Sequence, residues 1–164
     1  MNKERIQYAI SIMEQAKNLK MTYWQGEEGF SSTIEELHTC GNTACFAGYL
    51  ALSPLFQADG GGMDTDGEPV FEGGYGHEAI HSYFEMDERF IPLIYAIVYG
   101  EAYNSDVWLE SGVGEDAICG RGIRLKEQLS TLTGETYWHE WRPEHLVTIL
   151  NAILNGEFDW LLED

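Results

Sequence analysis

The apolar positions of residues 3–19 recur three and four residues apart. Residues with this spacing lie on one face of an α-helix, because the helix completes a turn about every 3.6 residues. The apolar face consists of Ile6, Ala9, Ile10, Met13 and Ala16. The pattern therefore predicts an amphipathic helix over residues 3–19.

The same spacing returns near the end of the sequence. Pro143 stands where a first helical residue is expected, and Gly156 stands where a helix would end. The apolar positions between them are Leu146, Ile149, Leu150, Ile153 and Leu154. A second amphipathic helix is predicted from Pro143 up to Gly156.

Between these two helices the pattern changes several times. Further helices are predicted at residues 42–52, ended by Ser53-Pro54, and at residues 77–84, 87–99 and 122–132. Residues 59–76 are rich in glycine, and residues 68–72 fit one strand of a hairpin turned at Asp66-Gly67. No internal repeat or linker interrupts the pattern. The sequence predicts one domain over residues 1–164, mainly α (α+β): a compact helical domain with a small β-hairpin in its Gly-rich middle region.

Composition supports a folded protein outside the membrane. Hydrophobic residues make up 44% and aromatic residues 13% of the 164 residues, enough for a real core. No run approaches the roughly 18 consecutive apolar residues of a membrane span. The cysteine count of 3 is odd and low for a disulfide scaffold, which favours a reducing compartment. These features predict a cytoplasmic protein of the host cell, with no membrane partner.

The net charge says more than the composition about the kind of partner that the protein would bind. The formal net charge is −19, and residues 21–88 contain no Lys or Arg. Such a field repels nucleic acid and anionic lipid and attracts basic surfaces, so direct nucleic-acid binding is not expected. The acids of this span that we predict to bind a basic partner are Glu27, Glu28, Glu35, Glu36, Asp59, Asp64, Asp66, Glu68, Glu72, Glu85, Asp87 and Glu88.

Residues 39–48, T-C-G-N-T-A-C-F-A-G, carry a second signal. They resemble the T-C-G-T-x-x-C-x-x-G segment of small uncharacterised proteins encoded by bacteriophages and plasmids, with Asn42 in place of the usual Thr. Those proteins also have an N-terminal helix, a middle helix like residues 79–84, and a last helix like residues 142–157. The resemblance implies a phage or mobile-element origin and implies no known activity.

Charge and resemblance together give the leading hypothesis. The chain would be a phage- or mobile-element-encoded acidic protein that binds and inhibits a host defence or nucleic-acid-handling protein. Nucleic-acid mimicry is one way in which it would do so. An acidic interaction module without mimicry is an alternative. It would bind through the aromatic residues of 137–141, Y-W-H-E-W, although aromatics at this position also suit a core. Both interpretations favour a protein that is not an enzyme and needs no cofactor.

Residues 77–81, H-E-A-I-H, suggest a different alternative. The segment resembles the H-E-x-x-H site of thermolysin-like zinc peptidases. That resemblance implies His77, His81 and the downstream Glu101 as zinc ligands and Glu78 as the catalytic general base of a small zinc-dependent hydrolase. The competing interpretation is two histidines on a helix surface, one bonded to a backbone carbonyl and one solvated.

A zinc site on the cysteines is a weaker possibility. Cys40, Cys45 and Cys119 with His38 supply suitable ligand types, but the two nearby cysteines lack the usual C-x-x-C spacing. Buried free cysteine is the favoured interpretation.

Overall fold

The computed structural model describes residues 1–17, 19–21, 33–35, 44–65, 67–100, 102 and 104–163. Its architecture is mainly helical with a small antiparallel sheet, which confirms the predicted fold class. The helices of the described residues are α1 (Lys3–Met13), α2 (Phe46–Ala51), α3 (Pro54–Ala58), α4 (Gly76–Tyr83), α5 (Ile91–Tyr99), α6 (Ser105–Glu110), α7 (Glu115–Thr133) and α8 (Pro143–Leu154). Short 3-10 turns cover Glu88–Phe90, Trp138–Glu140 and Asp159–Leu162. Strands β1 (Gly62–Met63), β2 (Pro69–Phe71) and β3 (Gly74–Tyr75) form the sheet.

Helix α2 lies at the centre of the core. Every one of its residues is buried, and it contacts α1, α4, α5 and β2. Small residues at Ala47, Gly48 and Ala51 let these neighbours approach closely. Helices α1 and α8 pack against each other beside it through the apolar faces that their sequences predict.

The sheet is a meander in the order β1-β2-β3. Gly62 pairs with Val70, and Val70 pairs in turn with Tyr75. The predicted hairpin is therefore confirmed, and a third strand extends it. The turn into β3 consists of Glu72 and Gly73, whose φ angles of 51° and 87° match the positive values of a type I′ hairpin turn.

The first predicted helix is too long. Helix α1 ends at Met13 rather than at residue 19. The N–H groups of Gln15 and Ala16 bond to carbonyls only three residues back, which tightens and ends the helix. The chain then runs to Leu19, which forms a parallel bridge with Ala44, so tertiary pairing overrides the helical pattern.

Other boundaries also differ from the prediction. Helix α2 ends at Ala51, before Ser53-Pro54 as predicted, and Pro54 then begins the separate helix α3, where its missing N–H costs nothing. Helix α7 begins at Glu115 rather than at residue 122. Helix α6 was not predicted at all, and the Asn104 side chain caps it by accepting the N–H of Asp106. In the part of the chain that the structure describes, each helix is too short or too polar to cross a bilayer.

Candidate acidic binding surface

All the arginines of the chain contact groups of the chain itself. Arg5, Arg89 and Arg142 lie within ion-pair distance of carboxylates. Arg121 donates to the backbone carbonyls of Leu161 and Glu163, and Arg124 lies over the indole ring of Trp160, 4.1 Å from its centroid. The guanidinium groups therefore serve the fold, and they offset little of the negative charge elsewhere on the surface.

Arg5 has the largest set of contacts. Its Nε lies 3.0 Å from Asp59 Oδ2, and its Nη1 lies 3.1 Å from Glu85 Oε1 and 2.8 Å from the carbonyl oxygen of Tyr83. The guanidinium also lies 4.6 Å from the centroid of the Tyr83 ring. We call Arg5, Asp59, Glu85 and Tyr83 the Arg5 cluster. It joins α1 to the ends of α3 and α4.

Arg89 makes a similar but more exposed arrangement. Its Nε donates to Asp87 Oδ1 over 2.8 Å, and its Nη1 donates to the Leu162 carbonyl over 2.6 Å. The side-chain hydrogen bond from Arg89, with help from its backbone N–H, lowers the pKa of Asp87 to about 2. Asp87 is therefore ionised at neutral pH and is engaged within the chain.

The predicted partner-binding acids consequently divide into groups. Asp59, Glu85 and Asp87 pair with arginines, and Asp64 closes the β1–β2 turn by accepting the Glu68 N–H over 2.8 Å. Glu35, Glu72 and Glu88 are exposed, and Glu68 is half-buried near Tyr99. The predicted acids that lie outside the described residues are Glu27, Glu28, Glu36 and Asp66.

Glu72 and Glu78 are exposed acids on two neighbouring parts of the fold, the sheet and α4. Glu72 occupies the β2–β3 turn, and Glu78 is in the first turn of α4. A Cβ built on Gly74, two residues past Glu72, would lie 3.2 Å from the Cβ of Glu78. Both side chains are exposed, and within the described residues neither has an ion-pair or hydrogen-bond partner.

Glu110 of α6 extends this surface. The charges of Glu78 and Glu110 both act on the imidazole of His77. Each of them tends to raise its pKa, against the lowering effect of burial. Glu78 and Glu110, on different elements, are thus both within electrostatic range of one histidine. We call Glu72, Glu78 and Glu110 the acidic surface.

Sequence reasoning left Glu110 out of the predicted partner-binding set, and it named Glu78 only as the general base of the zinc alternative. Further exposed acids that it left out lie nearby in sequence, on α6 and in the first turn of α7: Asp106, Glu115 and Asp116. The sequence does contain a signal for these acids, because no Lys or Arg occurs between Arg89 and Arg121. The unpredicted helix α6 is what brings Glu110 within electrostatic range of His77.

The H-E-x-x-H segment is helical, as the zinc interpretation requires, and forms most of α4. His77 packs edge-on against Tyr95 and Tyr99, with ring centroids 4.9 and 5.7 Å away. Burial lowers the pKa of His77, so this imidazole is neutral at pH 7. Its Nε2 is buried and has no hydrogen-bond partner within the described residues.

His81 has a different neighbour. Its Nε2 lies 3.1 Å from the carbonyl oxygen of Asp87, the contact that the non-metal interpretation predicts for one histidine. The other histidine is packed between tyrosines rather than solvated, so that interpretation is correct in part. Glu101, the third ligand of the zinc hypothesis, lies outside the described residues, and within the rest no three His, Cys, Asp or Glu side chains are arranged to hold a metal ion.

The cysteines of the described residues show no reactive environment. Cys45 is buried at the start of α2, and desolvation raises the pKa of its thiol to about 11. Cys119 is an exposed free thiol on α7. Cys40 and His38 lie outside the described residues.

Comparison with protein-family models, with curated proteins and with solved structures gave no match. The resemblance to phage and plasmid proteins therefore stays a prediction from residues 39–48 and the helices around them.

Proposed function

We propose that this protein, encoded by a phage or mobile element, binds the basic nucleic-acid-binding surface of a host protein and thereby inhibits it. The host protein would belong to a defence system or to another nucleic-acid-handling machine. The acidic surface is the proposed contact.

The observation that carries the proposal is a difference between the arginines and three exposed carboxylates. Each arginine contacts another group of the chain, which is a carboxylate, a backbone carbonyl or an aromatic ring. Glu72, Glu78 and Glu110 are exposed and have no cation beside them in the described part of the chain. The arginines are thus engaged within the molecule, whereas these three exposed carboxylates have no ion-pair partner among the described residues.

Nucleic-acid mimicry would explain why the acidic surface consists of exposed carboxylates without ion-pair partners among the described residues. Duplex DNA carries one negative charge per roughly 1.7 Å of axis, so a competitor for a DNA-binding groove needs many carboxylates with few cations between them. Attraction between exposed charges is screened by salt, with a Debye length of about 8 Å at physiological ionic strength. A complex held by the acidic surface should therefore weaken steeply as salt rises.

The experiment is an affinity capture from bacterial lysate with three baits. The first is the unchanged protein, and the second is Glu72→Gln/Glu78→Gln/Glu110→Gln. The third, Glu14→Gln/Glu127→Gln/Glu157→Gln, is the matched control, because it removes the same charge from exposed carboxylates elsewhere. Bound proteins are eluted with a salt step and identified by mass spectrometry.

The proposal expects a nucleic-acid-handling protein that the unchanged and control baits capture, that moderate salt releases, and that the acidic-surface variant loses. Equal capture by both variants would overturn the acidic surface as the contact. A partner that resists high salt would favour the aromatic interaction module instead.

A further inference from the structure

A pocket of about 400 Å³ lies where the C-terminal end of α5 meets α7 and the segment that leads into α8. Its volume is within the range of roughly 300–1,000 Å³ that is typical of small-molecule sites. None of the residues that line the pocket belongs to the acidic surface. Trp138, Trp141 and Leu129 give it flat apolar walls.

One wall of the pocket is fixed by the backbone. Gly100 ends α5 with a φ of 77°, a conformation that glycine adopts without strain. The Trp138 indole lies directly on this glycine, because any Cβ built on Gly100 would overlap the ring. Trp138 is therefore held in place before any ligand arrives, which reduces the entropic cost of binding.

Two residues of the pocket lining carry donors for which the described residues supply no acceptor. Trp141 is buried, and its Nε1 has no hydrogen-bond partner within the described residues. An unpaired buried N–H is costly, so such a group usually marks a missing acceptor. Lys126 lines the same pocket, is exposed, and likewise has no anionic partner in the described part of the chain.

Lys126, which has no anionic partner among the described residues, differs from the arginines, each of which contacts a group of the chain. The pocket also contains one acid, Glu135, whose Oε1 lies 3.8 Å from Arg142 Nη2. Its charge is therefore partly balanced outside the pocket. Two indole walls together with an ammonium group and an indole N–H suit a ligand that is flat, aromatic and rich in acceptors.

We propose that this pocket is a binding site for a small planar aromatic anion, a ring system that carries a carboxylate or sulfonate. The rings stack against Trp138, the anionic group pairs with Lys126, and an acceptor atom takes the Trp141 N–H. This assignment does not depend on the acidic surface or on a host partner.

The test uses two fluorescent probes with the same rings. The probe 8-anilinonaphthalene-1-sulfonate carries an anionic group, and N-phenyl-1-naphthylamine lacks it. Binding is measured at about 0.15 M salt, where the field of distant carboxylates is screened within about 8 Å. The variants are Lys126→Gln and, as the matched control, Lys17→Gln, which removes an exposed lysine that is not part of the pocket lining.

We expect one saturable site for the sulfonate probe. Lys126→Gln should weaken it by about tenfold, equivalent to about 1.4 kcal/mol, and should change affinity for the neutral probe by less than about twofold. Lys17→Gln should change neither. In a ¹⁵N spectrum, the indole N–H signal of Trp141, assigned by Trp141→Phe, should shift on addition of the sulfonate probe.

Two results would overturn the assignment. One is the absence of saturable binding up to about 1 mM probe, the concentration at which the free energy of binding is only about −4 kcal/mol. The other is sulfonate binding that is the same in Lys126→Gln as in the unchanged protein, which would place the probe elsewhere on the surface.

Discussion

Two acidic regions of this molecule look alike in sequence and differ in structure. In the Arg5 cluster, Asp59 and Glu85 each lie within 3.1 Å of a guanidinium nitrogen. On the acidic surface, Glu72 and Glu78 face solvent, with no cation beside them among the described residues. Carboxylates of the first kind stabilise the fold, and carboxylates of the second kind are available to a partner.

The comparison teaches why a count of acids is a poor guide to a binding surface. Arg5 and Asp59 are 54 residues apart in sequence, so no local pattern reveals their contact. Self-repulsion among exposed carboxylates works against the folded state. The fold therefore tolerates the acidic surface and depends on the Arg5 cluster, and this difference can be measured.

The largest expected effect is that of Arg5→Ala. It removes two ion pairs, a hydrogen bond to the Tyr83 carbonyl and cation–π contacts with Phe71 and Tyr83, and it leaves Asp59 without its cation. The free energy of unfolding should fall by about 2–4 kcal/mol, measured by urea denaturation. The control, Lys3→Ala, changes an exposed residue and should cost less than about 0.5 kcal/mol. An Arg5→Ala protein as stable as that control would contradict the structural role of the cluster.

A smaller effect is expected when single carboxylates are neutralised. Asp59→Asn should lower the free energy of unfolding by about 1 kcal/mol, since its oxygen then makes a weaker bond to Arg5. Glu72→Gln should leave stability within about 0.5 kcal/mol or raise it slightly. Equal losses in the two variants would mean that the two regions do not differ as described.

The pH dependence of His77 tests the region beside the acidic surface. Burial lowers the pKa of His77 below its ordinary value of 6.5, so the unfolded chain takes up a proton before the folded protein does. The contribution of neutral His77 to the free energy of unfolding is therefore fully present above about pH 6.5, and it is lost as the pH falls toward the pKa of His77 in the folded protein. His77→Gln should remove this part of the pH dependence in denaturation curves recorded between about pH 7.5 and pH 5. A stability difference between the two proteins that does not vary with pH would show that His77 titrates normally.

The smallest effect is expected from zinc. His77 packs against tyrosines and His81 Nε2 lies near the Asp87 carbonyl, so added Zn²⁺ should shift the thermal midpoint of the unchanged protein no more than that of His77→Gln/His81→Gln. Metal analysis after dialysis provides the check. One zinc per chain, lost in the double variant, would contradict this account and support the hydrolase alternative with Glu78 as general base.

Local pattern was sufficient for much of the fold. Helices α4 and α8 and the hairpin strand β2 follow from apolar spacing and from glycine and proline positions. Helix α6 was missed because its signal is short and because Asn104 alone caps it. Strand β3 was missed because its turn is Glu72-Gly73, whereas the strongest hairpin signals are Asn-Gly and Asp-Gly.

The candidate site was harder to predict than the fold. Charge pattern placed Glu72, Asp59 and Asp87 in one predicted set of partner-binding acids, and it could not distinguish Glu72 from the two acids that pair with arginines. The distinction depends on which carboxylates Arg5 and Arg89 contact in the folded chain. Long side chains make contacts that the spacing of residues in the sequence does not reveal. The pocket beside Trp138 likewise required the position of Gly100 against the indole ring.

Competition with nucleic acid tests the central claim most directly. The host protein captured by the unchanged chain is loaded with its own DNA or RNA, and the acidic protein is titrated in while release of the nucleic acid is followed by fluorescence anisotropy. The account predicts complete displacement by the unchanged protein and much weaker displacement by Glu72→Gln/Glu78→Gln/Glu110→Gln, with both effects declining as salt rises. A stable ternary complex, in which partner and nucleic acid stay bound while the acidic protein also binds, would contradict it.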